Sequence, residues 1–248
     1  MIMLKNEEEI NGIRTSCKLL AQLFKELTPQ IKAGMSTRDI DDICVDFIKA
    51  NGGVPAWYSQ DFDGAACISI NDEVIHGIPR KDVFVKDGDL VSLDIGIDLN
   101  GYYSDAARSI IIGEGSAEAK KLIKVTKECL AAGIKACKVG NRIKDISKAV
   151  YDVADKEGYG VVYEYCGHGV GLQVHEDPSI PNVPSRGPNP RIRPGMVLAI
   201  EPMINLGTAD IENCDDGWTV VTADGKISAH QENTVAVFED HTEILTIL

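Results

Sequence analysis

The sequence predicts an α+β fold in which helices cover one side of a mainly antiparallel sheet, built from two similar halves. The order helix, helix, strands occurs twice along the 248 residues. Short motifs recur at a nearly constant offset, and a strand hairpin in the first half carries two aspartates. Helices and strands grouped in separate runs are typical of α+β proteins. We expect a single domain, 1–248, with pseudo-two-fold halves at about 1–112 and 113–248.

Two helices are predicted in the first half from their capping signals. Asn6 and Glu9 form a capping-box pattern that opens the first helix, which ends near Thr28. Ser36 or Thr37 opens the second helix, and the segment NGG closes it. Strand-like segments follow, including CISIN, DLVSLDIGID and YYSDAARSIII.

The second half repeats this order. Helices are predicted at about 117–138 and 142–157, and strand signals resume at VVYEYC. Six prolines between Pro178 and Pro194 indicate a surface loop or a sheet edge rather than a linker between domains.

The segment DIGIDLNGYYSD predicts a β-hairpin, because Asn100-Gly101 between apolar and aromatic residues is a strong signal for a two-residue loop. With this loop, Asp105 lies opposite Gly96, two residues from Asp94. The two aspartate side chains then share one face as diagonal cross-strand neighbours. Such a pair is tolerated when a cation lies between the carboxylates or when one of them is protonated. A solvated acidic face is the alternative, and the hairpin alone leaves the choice open.

An internal repeat extends this acidic arrangement to the second half. KDGDLVSLD, ending at Asp94, resembles RPGMVLAIE, ending at Glu201. The pairs that keep an offset of 106 or 107 residues are Gly34 and Gly140, Gly52 and Gly158, Gly88 and Gly195, and Asp94 and Glu201. Glu232, in the later strand SAHQENTVAVF, is the counterpart of Asp105. Similar halves let the acidic strands meet near a pseudo-two-fold axis, so four carboxylates indicate a dinuclear metal site.

Composition narrows the classes of function. A net charge of −13 argues against nucleic acid or an anionic membrane as the main partner. No stretch approaches the roughly 20 apolar residues of a spanning helix, and the first residues lack a signal-peptide core. Seven cysteines without a C-x-x-C pair indicate reduced thiols in the cytoplasm, with Cys44 and Cys129 as packing residues.

Histidines supply the next candidates. His168 and His175 lie in the glycine-rich segment YCGHGVGLQVHEDP, just ahead of the second acidic strand. A lone histidine is more often structural, but glycines let the backbone approach a ligand and neutral imidazole is a common metal ligand. His76, in NDEVIHGIP, precedes the first acidic strand in the same way. His230 and His241 lack such a context and are expected on the surface.

At this point the segments resemble a known family, the type I methionine aminopeptidases of the M24 metallopeptidases. The similar segments are YCGHGVGLQVHEDPSIPNV, IHGIP, LDIG with Asp105 eleven residues on, AIEP, DDGWTV and QENT. The resemblance covers nearly the whole chain. It implies the duplicated "pita-bread" fold and, without a zinc-binding extension or a large insertion, the short bacterial form.

The resemblance also implies a site that binds two divalent cations. The implied metal ligands are Asp94, Asp105, His168, Glu201 and Glu232. Asp105 and Glu232 would bridge both ions, Asp94 would hold one, and His168 with Glu201 would hold the other. An oxygen-rich set with one nitrogen suits Mn, Fe(II) or Co. Glu201 is the expected proton shuttle, because a ligand carboxylate can reach both the water and the leaving amine.

The implied substrate contacts lie beside these ligands. His76 and His175 match the two non-ligand histidines that contact the peptide and the tetrahedral intermediate. The matching positions of the methionine pocket are Phe62, Cys67 and Trp218. The departures from the family pattern are Val174 in place of an aromatic residue, Ser59 in place of Tyr, and Asn233 in place of His. A monovalent cation near Asn71 and Ser228 is a weaker implication.

The implied activity is removal of the N-terminal methionine from nascent polypeptides by a cytoplasmic monomer, with ribosome association as a further expectation. A proline-directed aminopeptidase or prolidase shares the ligands and fold, but usually carries an extra N-terminal domain. A non-catalytic binding protein on this fold usually loses ligands, whereas all five are present here. Trp218 and GHGVGLQVHEDP favour methionine over proline-directed cleavage.

Overall fold

The computed structural model describes residues 1–248 and has four α-helices above antiparallel sheets. The helices are α1 (Glu7–Leu27), α2 (Thr37–Ala50), α3 (Ala117–Ala136) and α4 (Ile143–Lys156), with short 3-10 turns at Thr28–Gln30 and Ala56–Gln60. The strands of the first half are β1 (Val54–Pro55), β2 (Ala66–Ile70), β3 (Glu73–Ile75), β4 (Leu90–Leu99) and β5 (Tyr102–Ile111). None of the helices is both long and apolar enough to span a membrane.

The second half supplies ten further strands. They are β6 (Gly160–Val161), β7 (Cys166–Gly169), β8 (Glu176–Pro181), β9 (Val197–Ile200), β10 (Met203–Asn205), β11 (Ile211–Asn213), β12 (Val220–Thr222), β13 (Ser228–His230), β14 (Asn233–Val237) and β15 (Thr242–Ile244). Two sheets matter for the site: β1-β4-β2 with β5 beside β4, and β15-β14-β9-β7-β8. All strand pairs are antiparallel, which confirms the predicted fold class.

The helices begin where the capping signals predicted. The Asn6 side chain accepts from the Glu9 amide at 3.0 Å, and the Glu9 carboxylate accepts from the Asn6 amide at 2.8 Å. Ser36 and Asp39 make the same reciprocal pair at the start of α2, at 3.1 and 2.8 Å. These side chains satisfy amides that have no partner inside the helix, which fixes both starts.

The predicted hairpin forms with the predicted register. Asn100 and Gly101 adopt φ values of 58° and 83°, as a two-residue type I′ loop requires. Asp105 pairs with Gly96 across the hairpin, and Asp94 pairs with Ala107. Asp94 and Asp105 are therefore diagonal neighbours.

The two halves repeat in backbone detail. The paired glycines have nearly equal φ values: 93° and 96° at Gly34 and Gly140, 76° and 75° at Gly52 and Gly158, and 88° and 85° at Gly88 and Gly195. Each half thus bends its chain in the same way before its acidic strand. The matching turns support the predicted pseudo-two-fold relation of the halves.

The acidic strands of the two halves meet through a threonine. The Thr234 hydroxyl donates to the Asp105 carbonyl at 2.8 Å and accepts from the Asp105 amide at 3.3 Å. The Glu232 amide donates to the Ala107 carbonyl at 2.9 Å. These bonds join β5 to the start of β14, so carboxylates of both halves come together.

Apolar faces of the helices bury these sheets. α1 and α2 share a core with β2 and β4, in which Leu20, Ile40, Ile68 and Leu93 are buried. α3 and α4 pack over strands of the second half. The proline-rich segment starts in β8, the edge strand of its sheet, as predicted. All seven cysteines are free thiols, and the packing role predicted for Cys44 and Cys129 agrees with their burial.

Candidate active site

One cavity of about 260 Å³ lies at the junction of the two halves. Its wall includes every residue that the sequence predicted for the site: Phe62, Cys67, His76, Asp94, Asp105, His168, His175, Glu201, Trp218 and Glu232. Carboxylates and histidines occupy one part of the wall, and aromatic residues with a thiol occupy another.

Four carboxyl groups converge on the polar wall from β4, β5, the end of β9 and the start of β14. Burial raises the pKa of Asp94 to about 7 and that of Glu201 to about 8. Burial, and then repulsion between the neighbouring carboxylates, raises the pKa of Asp105 and of Glu232 well above the usual range. Negative charge so concentrated is stable only when it is neutralised by protons or by a cation.

The polar wall fits a divalent metal. Three buried oxygens have no hydrogen-bond partner, namely Asp94 Oδ1, Asp105 Oδ1 and Glu232 Oε1. Buried polar atoms are almost always paired, so these oxygens point to a missing partner. One ligand atom each from Asp105, His168 and Glu232 lie within 4.8 Å of one another, close enough to hold a single ion.

His168 presents a lone pair to this wall. Its Nδ1 lies 2.9 Å from the Gly169 carbonyl and therefore carries the hydrogen that it donates there. Its Nε2 lies 3.4 Å from Glu201 Oε1 and 3.6 Å from Asp105 Oδ2. Burial lowers the pKa of His168 to about 3, so the ring is neutral. A neutral imidazole oriented by a backbone carbonyl is the usual form of a histidine metal ligand.

His175 lies next to His168 but on the open side of the cavity. The centroids of the two rings are 4.4 Å apart. His175 also stacks on the indole of Trp57, with centroids 6.3 Å apart and planes 24° apart. Burial lowers the pKa of His175, so this ring too is neutral.

His76 lines the same cavity and has an unusual backbone. Its φ of 59° is left-handed, a backbone conformation that residues other than Gly rarely adopt. Such residues cluster at functional sites. Its ring meets Tyr165 and Trp218 edge-on, with centroids 5.5 and 6.1 Å away. Burial lowers the pKa of His76 to about 4.

The apolar wall is aromatic and carries a sulfur atom. Phe62 meets Trp218 edge-to-face at 5.2 Å between centroids. Phe62, Cys67, Trp57 and Val174 belong to one buried cluster, and Trp218 packs against it. Burial raises the pKa of the Cys67 thiol well above its usual value, so the thiol stays neutral. This wall suits a flexible apolar side chain.

Five residues that line the cavity were not predicted: Trp57, Gln60, Ile75, Tyr165 and Cys166. Tyr165 and Cys166 are the first two residues of the glycine-rich histidine segment, so their position in the chain was an available signal. Trp57 lies in a short 3-10 turn with no periodic pattern, and only the tertiary fold shows its place.

The residues that depart from the family pattern have local roles. Asn233 accepts from Arg108 Nη2 at 2.7 Å and from the Thr246 hydroxyl at 2.8 Å. The Ser59 hydroxyl donates to the Ala56 carbonyl at 2.7 Å. Neither Asn233 nor Ser59 lines the main cavity.

The expectation that His230 lies on the surface is wrong. His230 is 1% exposed, and its Nε2 lies 3.3 Å from Glu201 Oε2. It ends β13 and pairs with Met203 of β10, inside the fold. Its position two residues before Glu232 was an available signal, because alternate residues of an extended chain share a face. His241 is exposed, as expected.

Comparisons with known proteins agree with this geometry. The model of metallopeptidase family M24 matches residues 11–239. The chain belongs to metallopeptidase family M24. This M24 chain is 60% identical to the methionine aminopeptidase of Treponema pallidum (strain Nichols) over 247 residues, which cover 99% of this chain and 96% of that protein. It is 46% identical to the Clostridium perfringens methionine aminopeptidase, over the full length of both.

Solved structures of M24 proteins superpose closely. The methionine aminopeptidase of Rickettsia prowazekii gives a TM-score of 0.96 at 36% identity, with both chains fully covered. The prolidase of Pyrococcus furiosus gives 0.81 at 25% identity, with 99% of this chain and 65% of that chain covered. The resemblance to methionine aminopeptidases and the pita-bread fold are confirmed. This M24 chain is a metallo-aminopeptidase, and the alternative functions are not favoured.

Proposed function

We propose that this enzyme removes the N-terminal methionine of polypeptides with two divalent cations. The single observation that carries the proposal is the cavity itself, in which four buried carboxyl groups and a neutral histidine face an aromatic, sulfur-containing wall. The carboxyl groups and the histidine suit metal-assisted hydrolysis. The aromatic, sulfur-containing wall suits a methionine side chain. Relatives named methionine aminopeptidase support the same substrate.

The proposed ligands are Asp94, Asp105, His168, Glu201 and Glu232. Asp105 and Glu232 come from the two segments that meet at the junction of the halves, so they are suited to bridge two ions. The oxygen-rich donor set favours Mn, Fe(II) or Co. When bound, two such ions lower the pKa of a water molecule and polarise the scissile carbonyl.

The protein side chains then handle protons and orientation. Glu201, held beside the ions as a carboxylate ligand, would accept a proton from the attacking water and pass it to the leaving amine. His76 and His175, both neutral, donate hydrogen bonds to the peptide and to the developing oxyanion.

Hydrolysis of two peptides tests the function. We expect release of free methionine from Met-Ala-Ser and no cleavage of an Ala-Pro peptide, with Mn²⁺ added to anaerobic enzyme. Preferential cleavage of the Ala-Pro peptide would support the prolidase alternative. No cleavage of either peptide by metal-loaded protein would support a binding protein.

The pocket predicts which first residues are accepted. Met should be removed fastest, with modest tolerance for norleucine and ethionine, because one fewer favourable contact changes discrimination by only about 1–3 kcal/mol. Val174 does not line the cavity itself but belongs to the buried cluster of Phe62 and Cys67. Because Val174 is smaller than an aromatic residue, we expect this side of the pocket to be roomier. Charged or β-branched first residues should be rejected. Rates for N-terminal Lys or Val near that for Met would contradict the pocket formed by Phe62, Cys67 and Trp218.

We expect His230 to hold the Glu201 side chain in the position in which it binds metal. Partners that hold a ligand side chain typically change metal affinity about 10- to 100-fold when they are removed. We expect His230→Leu to weaken Mn²⁺ affinity by this amount, as measured by calorimetric titration, and His230→Gln to weaken it less because a polar side chain can still lie beside the Glu201 carboxylate. Unchanged affinity in His230→Leu would contradict the role.

Four further expectations concern the cell compartment, a monovalent cation, ribosome association and the oligomeric state. Seven free cysteines, five of them buried, support a reducing compartment such as the cytoplasm. The Ser228 amide donates to the Asn71 carbonyl at 2.8 Å, so the two residues proposed for a monovalent cation are adjacent. Ribosome association and a monomeric state stay predictions.

A further inference from the structure

A buried ion pair joins the start of the chain to the loop that carries His175. The Lys5 and Glu176 side chains are 1% and 0% exposed, and the Lys5 ammonium donates to Glu176 Oε2. In every other lysine–carboxylate pair of the structure the lysine side chain is more than half exposed. Burying two charges is costly unless geometry and additional hydrogen bonds compensate, so this pair calls for an explanation.

Glu176 organises the loop that precedes it. Its Oε1 accepts from the Leu172 amide at 2.7 Å and from the Gln173 amide at 3.0 Å. Glu176 also begins β8, where it pairs with Gly169 of β7. The segment from Gly171 to His175 is therefore wrapped around one carboxylate, and His175 is the residue next to that carboxylate.

Lys5 is itself held in place. Its amide donates to the Gly195 carbonyl at 2.7 Å, and its ammonium also lies 3.4 Å from the Met3 carbonyl. A Cβ at Gly171, where φ is +133°, would lie 3.5 Å from Lys5 Cε and 2.4 Å from Ile13 Cδ1. Gly171 of the loop thus packs against both Ile13 of α1 and the lysine stem, and the close approach of Ile13 needs glycine at position 171.

We propose that the Lys5–Glu176 ion pair positions His175 for the reaction. Lys5 neutralises the carboxylate around which the loop is wound, and this keeps the loop closed beside His168. Without the ammonium, the buried carboxylate is relieved by opening the loop to water, which displaces His175. Lys5 is a positioning residue that touches neither substrate nor metal. The inference rests on the proposed function, because it assigns His175 a part in that reaction.

A double-mutant cycle on the full-length, Mn²⁺-loaded enzyme tests the coupling, since two residues that act as a unit have non-additive effects. Misplacement of a reacting group by about 1 Å can lower a rate about 100-fold. We expect Lys5→Met to lower kcat/KM for Met-Ala-Ser about 10- to 100-fold, mainly through kcat and with unchanged metal content. In the His175→Ala background the same change should cost less than about twofold. Equal losses in both backgrounds would overturn the inference.

Arg14→Met is the matched control. Arg14 ties α1 to Glu243 through two hydrogen bonds of 2.7 and 2.8 Å, away from the cavity. Arg14→Met should lower the stability of the enzyme without changing kcat. If Arg14→Met lowers kcat as much as Lys5→Met does, both losses reflect general destabilisation, and the inference is overturned.

A neutral pair keeps the test valid if Lys5→Met does not fold. Lys5→Met with Glu176→Gln removes both charges, while the amide oxygen still accepts from the Leu172 and Gln173 amides. The effect of this double substitution is then measured with and without His175→Ala. A large kcat/KM loss only when His175 is present supports the inference, and equal losses in both backgrounds overturn it. Wild-type enzyme that releases no methionine would instead refute the proposed function. His175→Ala with wild-type activity would refute the role of His175 and overturn the inference, while the proposed function would stand.

Discussion

Asp105→Asn is expected to abolish hydrolysis and metal binding together. The carboxylate is buried, and one of its oxygens has no hydrogen-bond partner. A bridging ligand serves both ions, so loss of its charge should remove both from the site. We expect kcat/KM for Met-Ala-Ser to fall at least about 1,000-fold, which corresponds to about 4 kcal/mol of transition-state stabilisation. Metal analysis of the anaerobically purified variant should find less than one tightly bound ion.

The control for this variant is Asp98→Asn. Asp98 lies in β4 of the same hairpin, and its carboxylate accepts from the Gly101 amide at 2.8 Å, which an asparagine oxygen can also do. This change should leave metal content and kcat close to wild type. Asp105→Asn that still binds two metals tightly would contradict the bridging role.

His175→Ala and His76→Ala are expected to lower kcat while metal content stays intact. Removing one hydrogen-bond donor to an oxyanion typically lowers kcat about 100- to 1,000-fold. Both rings are neutral donors on the cavity wall, and no carboxylate of the site lies within 4.0 Å of either imidazole. The exposed His241→Ala is the control and should behave as wild type.

Metal content separates this role from ligation. If His175→Ala lost metal, the assignment of His168 as the only histidine ligand would be wrong. If kcat stayed at the wild-type value, the substrate contact proposed for that histidine would be wrong instead.

Local signals account for what the sequence could predict. The Asn100-Gly101 loop fixes the register of β4 and β5, and this register alone places Asp94 and Asp105 on one face. The repeated glycines favour the same turns in both halves, because glycine adopts a positive φ without the steric cost that other residues pay. The histidine motif is one continuous segment, so its resemblance to the family can be recognised from the sequence without knowledge of the fold.

Contacts between distant segments account for what the sequence could not predict. Trp57 reaches the wall from a 3-10 turn with no periodic signal, and it stacks on His175 far along the chain. The lack of a motif around His230 predicts a surface position, although its alternation with Glu232 places it inside. Lys5 and Glu176 are 171 positions apart, and nothing in either local sequence indicates their pairing.

Anomalous scattering from a crystal grown anaerobically with Mn²⁺ tests the central claim most directly. If the two halves join their acidic strands to form a dinuclear hydrolytic site, two peaks will lie in the cavity. Both peaks should be bridged by Asp105 and Glu232, with Asp94 on one ion and His168 and Glu201 on the other. The claim would be contradicted if manganese bound at full occupancy elsewhere, or if no manganese peak lay among these five side chains.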